Sequence, residues 1–173
     1  MTAGVTPVAI ELPESARYRL APTRCSARFT VAKLGLFRVS GEFTVTSGTV
    51  SVADGVASVH AELDAASFRT AMSQRDKDIK SPKFLDVAVF PTLVYDGELV
   101  GDRIEGTLRV RDRAVPTDLA LTAVHFGTDG VDVTATARLD RFEAGLTRAK
   151  GIVGQFVDIA LTVTLVRSEG ERS

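Results

Sequence analysis

Three residue types that usually carry chemistry are nearly missing here: two histidines, one cysteine and no tryptophan in 173 residues. The lone cysteine, Cys25, excludes an intramolecular disulfide framework and any CxxC motif. It precedes an apolar run without a partner, where a small structural hydrophobe is the ordinary role. His60 and His125 lie far apart with no motif joining them, so a metal pair has no support. No GxSxG elbow surrounds any serine, and the glycines near Gly151 and Gly154 lack the lysine and spacing of a phosphate loop. No charge sign dominates: 21 Lys and Arg stand against 22 Asp and Glu, a net charge of −1. That balance argues against a nucleic-acid binder, which would show a basic stripe, although a local basic patch remains compatible with it. No window approaches about 18 uninterrupted apolar residues, so no membrane-spanning helix and no stable membrane insertion are expected. The first twenty residues carry no basic n-region and no long apolar stretch, Pro7 and Glu11 interrupting the only candidate, so no secretory signal is expected.

What the chain does have is strict alternation. In Val131–Asp140 the odd positions are Val131, Val133, Ala135, Ala137 and Leu139, and the even ones are polar. Ile159, Leu161, Val163 and Leu165 repeat the pattern, as do Ile104, Gly106, Leu108 and Val110, then Val59, Ala61 and Leu63. Phe29 and Val31, Phe43 and Val45, and Val50 and Val52 complete the set. A period of two is the mark of half-buried strands. Ser47-Gly48, Asp54-Gly55, Asp96-Gly97, Gly101-Asp102 and Asp129-Gly130 read as hairpin turns, because glycine takes positive φ at no steric cost. Short strands, regular turns and no βαβ rhythm predict one all-β domain, an antiparallel sandwich or barrel. The boundaries are expected at 1–16 for an N-terminal extension, 17–167 for the domain and 168–173 for a polar, frayed tail.

Two stretches break the alternation. Arg141–Gly154 is a glycine-bearing loop. Leu63 to Pro91 runs from a strand into a charged helical segment, Ala71–Lys80, then into an aromatic and aliphatic clasp, with Ser81-Pro82 starting a second short turn. Within the helix, Arg75, Asp76, Lys77, Asp78 and Lys80 fit a solvated face with i,i+3 and i,i+4 pairs. The less favoured reading is a polar gate over a barrel mouth, where Arg75 or Lys80 meets an anionic headgroup. His60 falls on the polar face of its strand. His125 falls with Leu119, Leu121 and Ala123, on the inner one. Phe29, Phe37, Phe43, Phe68, Phe84 and Phe90 bracket the helical segment. A barrel of eight strands either fills itself with side chains or holds one slim ligand, and the sequence alone leaves both open.

Four blocks, in order, carry a likeness. They are Phe29-Thr-Val-Ala-Lys-Leu-Gly-Leu with Val39-Ser-Gly-Glu-Phe43; Leu63-Asp-Ala-Ala-Ser-Phe-Arg-Thr70 with Arg75-Asp76, Lys80-Ser-Pro-Lys-Phe-Leu-Asp86 and Phe90-Pro91; Gly106-Thr-Leu-Arg-Val110; and Asp140-Arg141, Gly145-Leu146 and Val157-Asp-Ile-Ala-Leu161. Together they resemble the YceI family, the lipocalin-like polyisoprenoid-binding proteins. The resemblance implies an eight-stranded antiparallel lipocalin-like barrel with a short helical lid and an elongated apolar cavity. It implies an isoprenoid-type ligand such as a polyprenyl phosphate or a quinone tail, and it makes a homodimer unsurprising. Many relatives are exported; without a signal, this chain is expected in the cytoplasm. Three positions depart from the family pattern: Lys33 and Asp78 stand where histidines are usual, and Ala144 stands where phenylalanine is. Lys33 and Asp78 would alter which head is accepted, or would pair with each other.

The resulting reading is a binder or carrier of a long apolar lipid, without catalysis, cofactor or metal. Its expected cavity walls are Phe29, Val31, Leu34, Leu36, Phe37, Phe43, Phe68, Ile79, Phe84, Leu85, Leu108 and Leu146, with Arg75 and Lys80 as head contacts. The rival is a stress-response or interaction module whose barrel is filled by its own side chains and which binds a protein partner. An enzyme would need titratable groups gathered at the mouth, and only Arg75, Asp76, Asp78 and His125 are available for that.

Overall fold

The alternating runs form ten strand segments and one helix in a computed structural model that describes residues 12, 13, 15–149 and 151–168. In chain order they are β1 (Ser15–Leu20), β2 (Ser26–Lys33), β3 (Phe37–Ala53), β4 (Val56–Arg69), α1 (Ser73–Lys80), β5 (Thr92–Val100), β6 (Arg103–Val110), β7 (Arg113–Pro116), β8 (Leu119–Phe126), β9 (Gly130–Asp140) and β10 (Val153–Arg167). Every pairing is antiparallel, and the order β10-β2-β3-β4-β5-β6-β8-β9 closes on itself where β9 pairs β10. The result is an eight-position barrel, which removes the unpaired edges an open sheet would expose.

Ten segments fill eight positions because two staves are broken. β1 and β2 lie end to end between β3 and β10: Phe29 faces Gly41 and Ile159, while Arg19 faces Thr49 and Val166. The break is a single 3-10 turn at Pro22–Arg24, opened by the proline. β7 and β8 lie end to end along β6, with Val110 facing Arg113 and Ile104 facing Leu119 in one unbroken register. In the gap the Thr117 amide donates to the Gly106 carbonyl at 2.8 Å, and the Gly106 amide donates to the Asp118 carboxylate at 3.3 Å.

The first strand begins at Ser15; residues 1–11 and 14 of the expected extension, and 169–173 of the expected tail, lie outside the described residues. Asp54-Gly55 is the expected tight hairpin, with φ of 53° and 79°. Ser47-Gly48 and Asp96-Gly97 are not turns. The first lies inside β3, where a register shift moves the inward phase from Phe43 and Val45 to Val50 and Val52. The second lies inside β5, where Gly97 faces Gly106 and the backbones leave no room for a Cβ. A bulge likewise corrects His125. The register slips between Leu121 and Ala123, so Val124 and Phe126 face the interior and His125 is exposed outside. His60 is on the outer face as expected, 2.6 Å from Asp96.

The outer face is wet. There Glu42 sits between Arg28 and Arg69, and Asp158 between Arg38 and Arg138. The inner face is the apolar core, and the turns alternate between two ends. The upper end carries the β2–β3 hairpin, α1 with its following turns, and the β9–β10 loop. The lower end carries the β3–β4, β5–β6 and β8–β9 turns.

Candidate functional site

The barrel interior holds two chambers. The lower, of about 190 Å³, is lined by inward residues such as Val52, Val59, Ile104, Leu121, Val133 and Val163, and Leu12 and Pro13 lie against its end. No charged side chain lines it among the described residues. The upper, of about 320 Å³, lies under α1 and the β9–β10 loop. Phe29 and Leu108 line both, so the chambers meet there. Phe29 stands edge-on to Phe43 with centroids 4.8 Å apart, and Phe43 leans on Phe68 at 5.0 Å. The Phe68 ring lies across Gly41, in the space a Cβ would need.

Nine of the twelve expected wall residues line the upper chamber: Phe29, Val31, Phe43, Phe68, Ile79, Phe84, Leu85, Leu108 and Leu146. Leu34, Leu36 and Phe37 do not. They form the β2–β3 hairpin tip and face solvent, at 56%, 84% and 59% exposure. The alternation of β2 stops at Lys33, and Leu34 turns the chain with φ of 54°, so the inward phase does not extend into the tip. Arg75 lines the chamber, whereas Lys80 does not; it closes α1 on another face, and its carbonyl accepts from Val87. Lys33, Asp78 and Arg141 supply the remaining charges of the wall.

α1 is shorter than expected, starting at Ser73, and among the described residues no ion pair forms within it or between Lys33 and Asp78. Its charges do other things. The Asp76 carboxylate accepts from the Thr70 amide at 2.8 Å and the Thr70 hydroxyl at 2.7 Å, tying the helix to the end of β4. Arg75, Asp78 and Ile79 share one face at helical spacing and turn toward the chamber, and the Arg75 guanidinium donates to the Met72 sulfur. The turn after Ser81 is present, with Phe84 and Asp86 donating to the Ser81 carbonyl.

Arg141 is the site residue that sequence reasoning passed over. It is buried, at 4% exposure, and donates to the carbonyls of Gly154, Leu146, Arg148 and Val153 at 2.6–2.9 Å. Burial pulls its pKa below the usual guanidinium value while Asp140 opposes the shift. The only signal was the Asp140-Arg141 pair opening the last block. No group of metal-binding residues occurs among the described residues, and His125 is exposed on β8, outside the barrel, away from Arg75 and Asp78 in the chamber wall. Among the same residues no helix is long and apolar enough to cross a membrane.

A YceI-like domain model matches residues 18–165. The chain belongs to the YceI family. No curated protein sequence shows a significant match to it. Among solved structures it is similar to BcnA of Burkholderia cenocepacia, at 14% identity and a TM-score of 0.72, covering 84% of this chain and 98% of that one. It is also similar to a polyisoprenoid binding domain from Saccharophagus degradans, at 13% identity and a TM-score of 0.66, covering 87% and 98%. At such identities the likeness speaks for the fold. Of the three departures from the YceI pattern, Lys33 and Asp78 fall in the wall of the upper chamber, and Ala144 is buried in the β9–β10 loop.

Proposed function

We propose that this YceI-family barrel binds one long isoprenoid-type chain, without catalysis, and that a polyprenyl phosphate fits it better than a quinone tail. The observation that carries this reading is the gradient of the interior: charge lines one chamber, none lines the other, and apolar Phe29 and Leu108 border both. Burial supplies the affinity, at about 25 cal/mol per Å² of apolar surface removed from water. The upper chamber alone reaches the lower range of ligand pockets, about 300–1,000 Å³. In its wall Lys33, Arg75 and Arg141 outnumber Asp78, which favours an anionic head. The Saccharophagus degradans relative, named for polyisoprenoid binding, supports the ligand class.

The rival, a barrel filled by its own side chains and docking a protein partner, is disfavoured by the two open volumes. Native mass spectrometry of protein purified without added lipid, followed by denaturation and identification of what is released, tests the proposal. A stoichiometric prenyl lipid is the expected result. An empty protein that also refuses added prenyl phosphates and quinones would overturn it in favour of the filled module.

A further inference from the structure

The tip of the β2–β3 hairpin has no structural reason to be apolar. Leu34, Leu36 and Phe37 pack against nothing that buries them, and Leu34 is held in the left-handed region at φ 54°, where a branched residue is disfavoured. The neighbouring loop repeats the feature. The Leu34 amide donates to the Ile152 carbonyl at 2.7 Å, and Ile152 is itself 49% exposed. The two tips therefore form one continuous apolar edge, and a contiguous exposed patch of this kind marks an interaction surface. That edge adjoins the upper chamber, since Lys33 and Val153, paired across β2 and β10 just inside the tips, both line it.

Charge identifies the occupant. At this end the exposed bases Lys33, Lys77, Lys83, Arg113 and Arg148 outnumber the exposed acids Asp78, Asp112 and Glu143. The turns of the far end present Asp54, Asp102 and Asp129, all exposed, with Arg103 exposed beside Asp102. The upper end therefore combines exposed apolar tips with a surplus of exposed base. An anionic bilayer matches both properties, because its surface potential attracts lysine and arginine while its interface accepts apolar tips. A second copy of the chain would bring basic against basic.

We propose that the upper end is a reversible docking surface for anionic membranes, with Leu34, Leu36, Phe37 and Ile152 as the inserting tips. Docking there sets the chamber mouth against the bilayer, so that an apolar chain enters or leaves without crossing water. The docking itself does not depend on what the barrel carries, and its test uses vesicles free of prenyl lipid, so it fails or succeeds separately from the cavity ligand.

The test is co-sedimentation with vesicles of phosphatidylglycerol and phosphatidylcholine in equal parts, against phosphatidylcholine alone. The protein is expected to bind the first at low salt, about tenfold or more weakly the second, and to be released as salt rises. Leu36→Ser with Ile152→Ser should weaken binding about tenfold or more, with the circular dichroism spectrum and thermal midpoint unchanged. Lys77→Glu with Lys83→Glu should do the same through charge. Absence of sedimentation, or equal sedimentation of the apolar variant, would overturn the proposal. So would a concentration-dependent dimer that the apolar variant dissolves while vesicles bind nothing; that would make this end a self-interface.

Discussion

Phe29 meets Phe43 edge to face, ring centroids 4.8 Å apart at 76°, at the level where the two chambers join. The contact stiffens the boundary between the chambers, because T-shaped aromatic pairs add to the stability of simple burial. Phe29→Leu should therefore cost about 1–2 kcal/mol, read from the urea midpoint at constant m-value. In the lipid that co-purifies it should shift the mass distribution toward longer chains, since a smaller side chain then stands at the boundary with the lower chamber. An unchanged distribution with the stability loss present would leave Phe29 a packing residue only.

The Tyr95 hydroxyl donates to the Thr117 carbonyl at 2.8 Å, and its ring can reach there because Gly106 has no side chain. Gly106→Ala puts a methyl where the ring lies and should destabilise the barrel by about 1–3 kcal/mol or prevent folding. Tyr95→Phe keeps the ring and strips the Thr117 carbonyl of its donor, at a cost of about 1–2 kcal/mol. Calorimetry on both variants checks the ranking.

The same tyrosine gives a pH dependence. Burial, and then the charge of Asp118, hold the Tyr95 phenol well above its ordinary range. The folded state keeps that proton more tightly than the unfolded chain does. Its contribution is therefore complete below about pH 10 and is lost as pH rises beyond it. Absorbance titration of the phenolate should show a late component, which disappears in Tyr95→Phe.

The strands were legible because alternation survives wherever both faces of a strand keep their neighbours, as in β6, β9 and β10. It misled where the register slips. His125 follows a bulge that no residue type announces, and Ser47-Gly48 looks like a turn although its glycine serves the close approach of Leu20. The nine chamber residues were legible for the same reason as the strands. Leu34, Leu36 and Phe37 were misassigned because apolar character reports burial only on average, and a hairpin tip escapes that average. Arg141 was hidden because its partners are backbone carbonyls, which leave no trace in a sequence.

Asp76 holds the lid, and its release should be local. Asp76→Ala removes two charge-assisted hydrogen bonds to Thr70 in a half-buried setting, at a cost of about 1–2 kcal/mol. Hydrogen exchange should accelerate at Thr70 and through α1, with β9 and β10 unchanged. Uniform acceleration across the barrel would show instead that the lid and the barrel unfold as one unit.

Arg141 organises the β9–β10 loop by serving four carbonyls from one guanidinium. A lysine at this position offers a single ammonium on a flexible stem, and it cannot satisfy carbonyls spread around a planar fork. Arg141→Lys keeps the charge and should still cost about 2 kcal/mol, because it leaves buried acceptors without donors. Arg141→Met removes the charge as well and should cost more. If the loop is what shapes the wall around Leu146 and Val153, both variants lose ligand affinity together with loop protection from hydrogen exchange. If the guanidinium acts on an anionic head directly, Arg141→Lys retains a preference for prenyl phosphate over quinone and Arg141→Met does not. Competition between those two ligands, measured on both variants beside the urea midpoints, separates a structural arginine from a recognising one.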